Sequence, residues 1–308
     1  MLSLDQIEIK NKAMGGSDIG ALFGESPWAQ PMDIWQRVTG RHPLTAEDAE
    51  ADPDTPASLG SEMEVVLRNR YAKRLSDDLG EEIKVRERHK PRFHVEHDFL
   101  AGNIDADVVG HRRLGELKLV LFGDRALWGE QGTDEVPAHY LLQVHFYLLL
   151  YDYEMADLFA WFGRNDFRRY EFVRRPEIDA LILERAVQFW NDHVIADVPP
   201  PLDYAHPQTE RILKELYPGT NGERIVLPDE AIHYHAVLKD LQKRRKDIET
   251  AESEMRNRLR DMVGENAVGL LPGGGGYKRA VVQRKGYTVE PSEYETFSFS
   301  GNLKAPES

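Results

Sequence analysis

Apolar positions recur with helical spacing in some segments of this chain and with strand spacing in others. Helical spacing predicts helices over residues 17–24, 31–40, 61–75 and 176–194, a long helix from Pro137, and a 35-residue helix over 229–263. Extended segments are predicted within residues 83–99, 103–118 and 157–162, and around a glycine turn at 273–276,. Helices interspersed with these strands indicate an α/β core with a mixed sheet.

A change of composition near residue 221 divides the chain into two predicted parts. Residues 1–221 would form the α/β core. Residues 222–308 would form an extension that contains the long basic helix, a β-hairpin and a disordered tail.

Charge and composition exclude several classes of protein. The 308 residues carry 39 Lys and Arg against 53 Asp and Glu, a formal charge of −14, so the surface as a whole does not attract polyanions, although a local basic channel could,. The absence of cysteine excludes disulfides, thiolate metal sites and cysteine nucleophiles,. Asp5 and Glu8 interrupt the start of the chain, and charged residues interrupt its most apolar window, 140–162. A soluble cytoplasmic protein without a membrane span is therefore expected.

The chemistry of the chain is concentrated in residues 103–118. Asp105 lies on a strand-like run, Gly110 to Gly115 favour a reversal, and Glu116 and Lys118 lie on the returning strand,. Because side chains alternate along a strand, Glu116 and Lys118 share a face and Leu117 points away. If the strands pair, Asp105 falls beside them, and two carboxylates with one ammonium suit a hard divalent cation and a water to be activated.

The acid-x-lysine pattern alone does not establish this chemistry, since it recurs as Glu8-Ile9-Lys10 and Glu82-Ile83-Lys84. Only Glu116 has a predicted hairpin partner that carries an acid. An exposed hairpin with a surface salt bridge remains the alternative interpretation.

Read together with its neighbours, the hairpin resembles a known family. The ordered features span roughly residues 10 to 201 and are similar to those of the YqaJ-type viral recombinases, relatives of lambda exonuclease in the PD-(D/E)XK nuclease superfamily. The features are Gly15-Gly16-Ser17-Asp18-Ile19, Trp35 to Gly40, Gly60-x-x-x-Glu64, Asp105, Glu116-Leu117-Lys118, Trp128-Gly129, Tyr140-x-x-Gln143, and Phe189-Trp190 through Pro199-Pro200.

The resemblance implies a PD-(D/E)XK (restriction-endonuclease-like) core, a mixed central sheet flanked by helices, and a role for each matching residue. Asp105 and Glu116 would bind Mg²⁺, for which Mn²⁺ would substitute, with the backbone carbonyl of Leu117. Lys118 would orient the attacking water and stabilise charge, since the adjacent carboxylates oppose a lowered pKa. Glu64 would bind a second metal or a metal-bound water, or be a solvent-facing helix carboxylate. Gln143 would lie by the scissile phosphate.

Three further residues are candidates for contacting DNA. Ser17 would bind a terminal 5′-phosphate at a helix start. Relatives pair this serine with an arginine, and Lys10 stands at that position here, which keeps the charge but loses the two-pronged geometry. Tyr140 shares a helix face with Gln143.

Several other polar residues are ambiguous from the sequence. Asp107 would touch a metal-bound water or pair with Arg112 or Arg113. His94 and His97 are expected to be polar strand-turn residues, and His139 and His145 are not expected to bind metal.

The predicted function is a Mg²⁺-dependent exonuclease that digests linear duplex DNA from the 5′ end and leaves 3′ single strands for recombination by annealing. The resemblance implies a trimeric ring, a single-strand annealing protein as partner, and a bacterial or phage origin. The alternatives are a structure-selective or restriction-type endonuclease on the same core, and a non-catalytic DNA-binding or assembly module.

Overall fold

The computed structural model describes residues 4–49, 56–120, 125–281 and 283. These residues form helices and short strands, with a 3₁₀ turn at Arg125–Leu127 and a π-helical turn at Trp190–Ile195. The helices are α1 (Leu4–Lys10), α2 (Gly16–Leu22), α3 (Pro31–Val38), α4 (Ala46–Ala49), α5 (Pro56–Leu79), α6 (Ala138–Tyr151), α7 (Pro176–Phe189), α8 (Thr209–Leu216) and α9 (Glu230–Val263). The strands are β1 (Val85–Arg86), β2 (Arg92–Phe93), β3 (Ala101–Gly102), β4 (Ala106–Val108), β5 (Arg113–Leu119), β6 (Met155–Trp161), β7 (Phe167–Val173), β8 (Val268–Leu270) and β9 (Gly276–Lys278).

The centre of the fold is a five-stranded mixed sheet in the order β1-β4-β5-β6-β7. Strands β5 and β6 run parallel over seven residue pairs, and the other neighbours run antiparallel. The crossover between the two parallel strands is α6, as a βαβ connection requires,. The predicted α/β architecture, a mixed central sheet flanked by helices, is confirmed.

Helices cover both faces of this sheet. On one face, residues of α2, α3, α6 and α7 pack with Leu114, Leu158 and Tyr170 of the strands in the larger apolar cluster. On the other face, Leu67, Tyr71 and Leu75 of α5 pack against a second set of strand residues: Ala106, Leu117 and Phe159. The two faces follow from the alternation of side chains along β5, on which Leu114 and Leu117 point in opposite directions.

Two glycines let α2 approach α6 closely. A Cβ atom on Gly16 would lie 2.7 Å from Cζ of Tyr147, and a Cβ on Gly20 would lie 2.8 Å from Cβ of His139. Because the two glycines are four residues apart, they share a face of α2. The Gly15-Gly16-Ser17-Asp18-Ile19-Gly20 segment therefore sets the distance between this helix and the helix that carries Gln143.

A buried ionic cluster joins α5 to the sheet. Asp157 of β6 is fully buried, and it accepts hydrogen bonds from Arg113 at 2.5 and 2.6 Å, from Arg169 at 2.7 Å and from the Tyr71 hydroxyl at 2.7 Å. Glu171 binds both arginines, at 2.6 and 2.9 Å. Removing one member would leave an uncompensated buried charge, which costs far more than an exposed pair contributes.

The structure contains elements that the sequence did not predict, among them α1, α4, α8 and β7. Strand β7 reads Phe-Arg-Arg-Tyr-Glu-Phe-Val and carries three charged residues. Strand β7 lies at the edge of the sheet, and its charged side chains lie in the ionic cluster or on the exposed side,. It therefore lacks the apolar run that is expected of a buried strand. The predicted strand at 157–162 corresponds to β6, and the long helix from Pro137 corresponds to α6.

The chain divides into two compact units between Tyr217 and Pro218. In the second unit the predicted long helix is α9, and the predicted hairpin is β8 paired antiparallel with β9. The tail predicted to be disordered lies outside the described residues. Among the residues that the structure describes, no helix is long and apolar enough to cross a membrane.

Candidate active site

Asp105 and Glu116 meet at the end of the hairpin formed by β4 and β5. Asp105 lies at the bend immediately before β4, and the pairing of Ala106 with Gly115 places it opposite Glu116. Its Oδ2 accepts a hydrogen bond from the Leu117 N–H at 2.8 Å. In a strand the N–H and C=O of one residue point to the same edge. The Leu117 carbonyl is therefore directed towards the Asp105 side of β5.

The Glu116 carboxylate is buried, with 2% of the residue exposed. Its Oε1 accepts hydrogen bonds from Lys118 Nζ at 2.6 Å and from Gln143 Nε2 at 2.8 Å. Burial, followed by the charge of Asp105, raises the pKa of Glu116 to about 8, although Lys118 opposes the rise. The site thus holds more negative charge than its own lysine balances.

Lys118 lies on the same strand face as Glu116, as the alternation of β5 predicts. Its ammonium group is 5.3 Å from the centre of the Tyr140 ring and bonds Glu116. Burial disfavours the charged form, but the charges of Glu116 and Asp105 outweigh it and raise the pKa of Lys118 above its ordinary value. A permanently charged lysine orients water and stabilises anionic oxygen, and it is a poor general base.

Glu64 of α5 reaches the same place from the other side of the sheet. It hydrogen-bonds Asp105, and desolvation followed by the Asp105 charge raises the pKa of Glu64 to about 7. One turn later, Arg68 donates from Nε to the Asp105 carbonyl at 2.8 Å and lies 3.8 Å from the Glu64 carboxylate. The helix carboxylate is therefore turned towards Asp105, and the arginine fixes the backbone of the bend.

Helix α6 supplies the wall of the site. Gln143 is buried and bonds Glu116, and the ring of Tyr140, one turn earlier, faces Lys118. One turn after Gln143, the buried Tyr147 hydrogen-bonds that amide, and its pKa is raised by burial and then by Glu116 and Asp105. The amide of Gln143 is thus held between the Tyr147 hydroxyl and the Glu116 carboxylate.

The candidate end-binding residues lie at the start of α2 and the end of α1. Ser17 is exposed on the first turn of α2. The N–H of Gly15 already binds Asp18 Oδ2 at 2.7 Å, and Arg37 also binds this carboxylate, at 2.7 Å. Lys10 is the last residue of α1, and its pKa is lowered by desolvation and by the like charges of Arg37 and Lys118, against the pull of Asp18. Lys10 is close enough to Lys118 for their charges to interact, and Gly16, the neighbour of Ser17, lies against the side chain of Gln143.

The sequence interpretation of Asp107 as a partner of Arg112 or Arg113 is wrong. Asp107 is 1% exposed and binds Arg86 at 2.8 Å and Arg88 at 2.9 Å, both on the β1 side, and it accepts from the Tyr153 hydroxyl at 2.7 Å. Asp107 pairs with Leu114 across the hairpin, so Arg113 points to the opposite face,.

The four histidines singled out in the sequence lie in aromatic or buried surroundings. His94 and His97 stack with ring centres 5.1 Å apart. Burial, then Lys118, lowers the pKa of His139 to about 4, and burial lowers that of His145. His139 contacts the ring of Trp28 edge-on at 4.8 Å.

The oxygen atoms at the hairpin end fit a hard divalent cation. Within the described part of the chain, Glu116 Oε2 is buried and has no hydrogen-bond partner, and the raised pKa values of Glu64 and Glu116 indicate a need for positive charge. In the same described residues, no three acidic or histidine side chains already form a complete ligand set. Mg²⁺ commonly takes one or two carboxylates and keeps several waters, so two acids and a carbonyl suit it.

Sequence reasoning missed Arg68 and Tyr147. Both stand one helical turn after a residue that it singled out, Glu64 and Gln143 respectively, so helical spacing was the available signal. Their contacts depend on how α5 and α6 lie against the hairpin, which the spacing alone does not give.

Comparisons with known proteins show what the chain is similar to. Residues 6–154 match the YqaJ-like viral recombinase domain. The protein YqaJ of Bacillus subtilis (strain 168) is 27% identical over 262 residues, which cover 82% of this chain and 76% of the relative. The resemblance predicted from the residues is confirmed.

Among solved structures, an alkaline exonuclease from Laribacter hongkongensis has a TM-score of 0.47 and 12% identity over 64% of this chain and 94% of its own. A phage-related exonuclease from Haemophilus somnus 129PT has a TM-score of 0.37 and 15% identity over 60% of this chain and 96% of its own.

Proposed function

We propose that this chain, whose residues 6–154 match the YqaJ-like viral recombinase domain, is a Mg²⁺-dependent exonuclease that digests linear duplex DNA from its 5′ ends. The family match supports a nuclease. The observation that carries the metal-dependent part of the proposal is the buried Glu116 Oε2, which has no hydrogen-bond partner among the described residues and lies opposite Asp105.

The contacts in the site lead us to propose a role for each residue. Asp105, Glu116 and the Leu117 carbonyl would hold the metal ion, with Glu64 as a further oxygen ligand, directly or through water. When bound, the ion supplies a polarised water and neutralises charge on the phosphate. Lys118 would hold that water or a phosphate oxygen with its ammonium group. Gln143 keeps Oε1 of Glu116 bonded, which leaves Oε2 directed elsewhere.

Ser17 and Lys10 would bind the 5′ end of the DNA and so set the direction of digestion. A hydroxyl and a cation there suit a terminal phosphate, and the family resemblance supports the 5′ polarity. The resemblance also supports a homotrimeric ring and a single-strand annealing protein that receives the 3′ strand.

The proposal is tested by digestion of linear duplexes that carry a 5′-phosphate or a 5′-hydroxyl, and of closed circular DNA, with Mg²⁺ and with EDTA. We expect Mg²⁺-dependent loss of linear DNA only, fastest with the 5′-phosphate. Nicking of closed circles would favour an endonuclease, and no digestion together with no Mg²⁺ or Mn²⁺ binding in calorimetry would favour a non-catalytic module.

Lys118→Ala tests the site itself. It should abolish digestion while the thermal unfolding curve keeps its shape. Lys214→Ala is the control, because Lys214 bonds Glu210 at 2.7 Å in an exposed ion pair on α8, whereas the Lys118–Glu116 pair lies in the site. Full activity of the Lys118→Ala variant would refute the assignment.

A further inference from the structure

We infer that Arg86 and Arg88, positioned by Asp107, bind DNA phosphates beside the metal-binding acids, and that Lys90 and Arg92 extend this phosphate track along the edge of the sheet. The inference rests on the proposed nuclease function. It adds a DNA-binding surface that the site residues do not include.

The segment that carries these residues is basic in an acidic protein. Residues 84–92 read Lys-Val-Arg-Glu-Arg-His-Lys-Pro-Arg and contain five Lys or Arg against one acid, in a chain with a formal charge of −14. The acid, Glu87, is itself paired with Arg68 at 2.9 Å. The local charge is therefore strongly positive, as a surface that binds a polyanion requires.

The segment runs directly alongside the backbone that carries Asp105. Val85 and Arg86 pair with Val108 and Asp107 in the antiparallel β1–β4 ladder. Farther along, Arg92 and Phe93 pair with Gly102 and Ala101 in the β2–β3 ladder. The residues between the ladders, 87–91, thus pass beside residues 103–106. Neighbouring strands lie about 4.8 Å apart, so the basic segment is the immediate neighbour of the metal-binding bend.

Alternation places the two arginines on the face that holds the acids. Arg86 is the register partner of Asp107, and Asp107 and Asp105 are two residues apart. Arg88, two residues from Arg86, bonds the same carboxylate. Glu87, between them, bonds Arg68 of α5 on the opposite face. The cations therefore share the face of Glu116 and Lys118, and the acid is turned away from it.

Asp107 positions the arginines without using up their hydrogen-bonding capacity. The acid is buried, with 2% of its side chain exposed, whereas the side chains of Arg86 and Arg88 are 55% and 37% exposed. Tyr153 donates to the other carboxylate oxygen at 2.7 Å. Each guanidinium has five N–H donors, so both keep donors for a phosphate while the buried carboxylate limits their motion. The cluster of one acid and two arginines retains a net positive charge.

The test is the salt dependence of DNA binding. Dissociation constants of wild type and variants for a 5′-phosphorylated linear duplex are measured in EDTA, which prevents digestion, between about 50 and 200 mM salt. The logarithm of the association constant falls with the logarithm of the salt concentration, and each lost phosphate contact should make this slope shallower by about 0.9. The Arg86→Gln/Arg88→Gln variant should therefore have a slope shallower than that of wild type by up to about 1.8. Lys90→Gln with Arg92→Gln should make the slope shallower in the same way.

The second pair of substitutions guards against misfolding. Removing Arg86 and Arg88 leaves a buried carboxylate without its cations, whereas Lys90 and Arg92 are exposed and lie outside that cluster. Arg175→Gln is the matched control: its side chain is 48% exposed and pairs with Asp134, and it follows β7 at the opposite edge of the sheet. Its slope should equal that of wild type.

Unchanged slopes in folded Lys90→Gln/Arg92→Gln and Arg86→Gln/Arg88→Gln proteins would overturn the inference. If Arg86→Gln/Arg88→Gln unfolds the protein and Lys90→Gln/Arg92→Gln does not, the slope of the Lys90→Gln/Arg92→Gln variant decides. An equal fall in Arg175→Gln would also overturn it, because the effect would then be one of total charge. Wild-type digestion with Mg²⁺ is measured on the same preparation, so failure of the proposed nuclease function is seen separately from failure of the phosphate track.

Discussion

Glu116→Gln should stabilise the metal-free protein and at the same time abolish its response to Mg²⁺. The carboxylate is buried beside Asp105, and its pKa is raised from an ordinary 4.5 to about 8. An acid with a raised pKa in the folded state weakens folding as pH rises above the unfolded pKa, because the folded state then holds more protons than the unfolded chain. The unfolding free energy of the metal-free wild type should therefore fall between pH 4.5 and about 8.

The size of the effect follows from the shift. At about pH 7.5 it corresponds to an upper bound of roughly 4 kcal/mol, since one pKa unit is about 1.4 kcal/mol. A glutamine keeps the hydrogen bond from Gln143 but loses the ionic part of the contact with Lys118. A net gain of about 1–3 kcal/mol remains, which is roughly 2–10 °C in melting temperature for a unit of this size.

The assay is thermal unfolding of both proteins in EDTA at about pH 5 and about pH 7.5, and again with Mg²⁺. At the lower pH the gain should vanish, because Glu116 is then protonated in the folded wild type. Mg²⁺ should raise the melting temperature of wild type and leave the variant unchanged. Glu82→Gln is the matched control, since Glu82 stands in the same acid-x-lysine pattern but is exposed.

Two results would show that Glu116 is neither a destabilising buried charge nor a metal ligand. One is a variant that melts below wild type at the higher pH in EDTA, since the buried charge would then be stabilising. The other is an equal Mg²⁺ response in both proteins, because the ion would then bind elsewhere.

Three further predictions concern the walls of the site. Gly16→Ala should destabilise the protein by about 1–3 kcal/mol in thermal or urea unfolding, because its Cβ would lie 2.7 Å from Tyr147,; an unchanged stability would contradict the close packing. Ser17→Ala should reduce the preference for 5′-phosphate over 5′-hydroxyl ends severalfold in initial digestion rates, with Lys10 retaining the rest; an unchanged preference would remove Ser17 from the phosphate site. Gln143→Leu should lower kcat by roughly 10- to 100-fold with little change in KM, because the buried Glu116 carboxylate loses a hydrogen bond of about 1.5–3 kcal/mol,. A change confined to KM would instead indicate that Gln143 binds DNA.

The central part of the fold could be predicted because its signals are local. The turn at Gly110, the alternation of Glu116, Leu117 and Lys118, and the helix from Pro137 each follow from neighbouring residues. Side-chain alternation was enough to place Glu116 and Lys118 on one face, and the structure has them bonded at 2.6 Å. The family resemblance then added Glu64 and Gln143, which no local pattern connects to the hairpin.

The contacts that the sequence did not give are those set by pairing between distant strands. Asp107 was compared with arginines across the predicted hairpin, but its partners are Arg86 on β1 and Arg88 just after it, about twenty residues earlier. Strand β7 was missed because its charged residues serve the buried cluster around Asp157 and the edge of the sheet. In each case a charged side chain is explained only by a partner that tertiary structure brings to it.

Anomalous diffraction from crystals grown with Mn²⁺ would locate the divalent cation itself. We expect an anomalous peak within bonding distance of the carboxylates of Asp105 and Glu116 and of the Leu117 carbonyl, with Glu64 and Lys118 beside it. A peak at any other group of residues, or none at a Mn²⁺ concentration that supports digestion, would contradict this assignment.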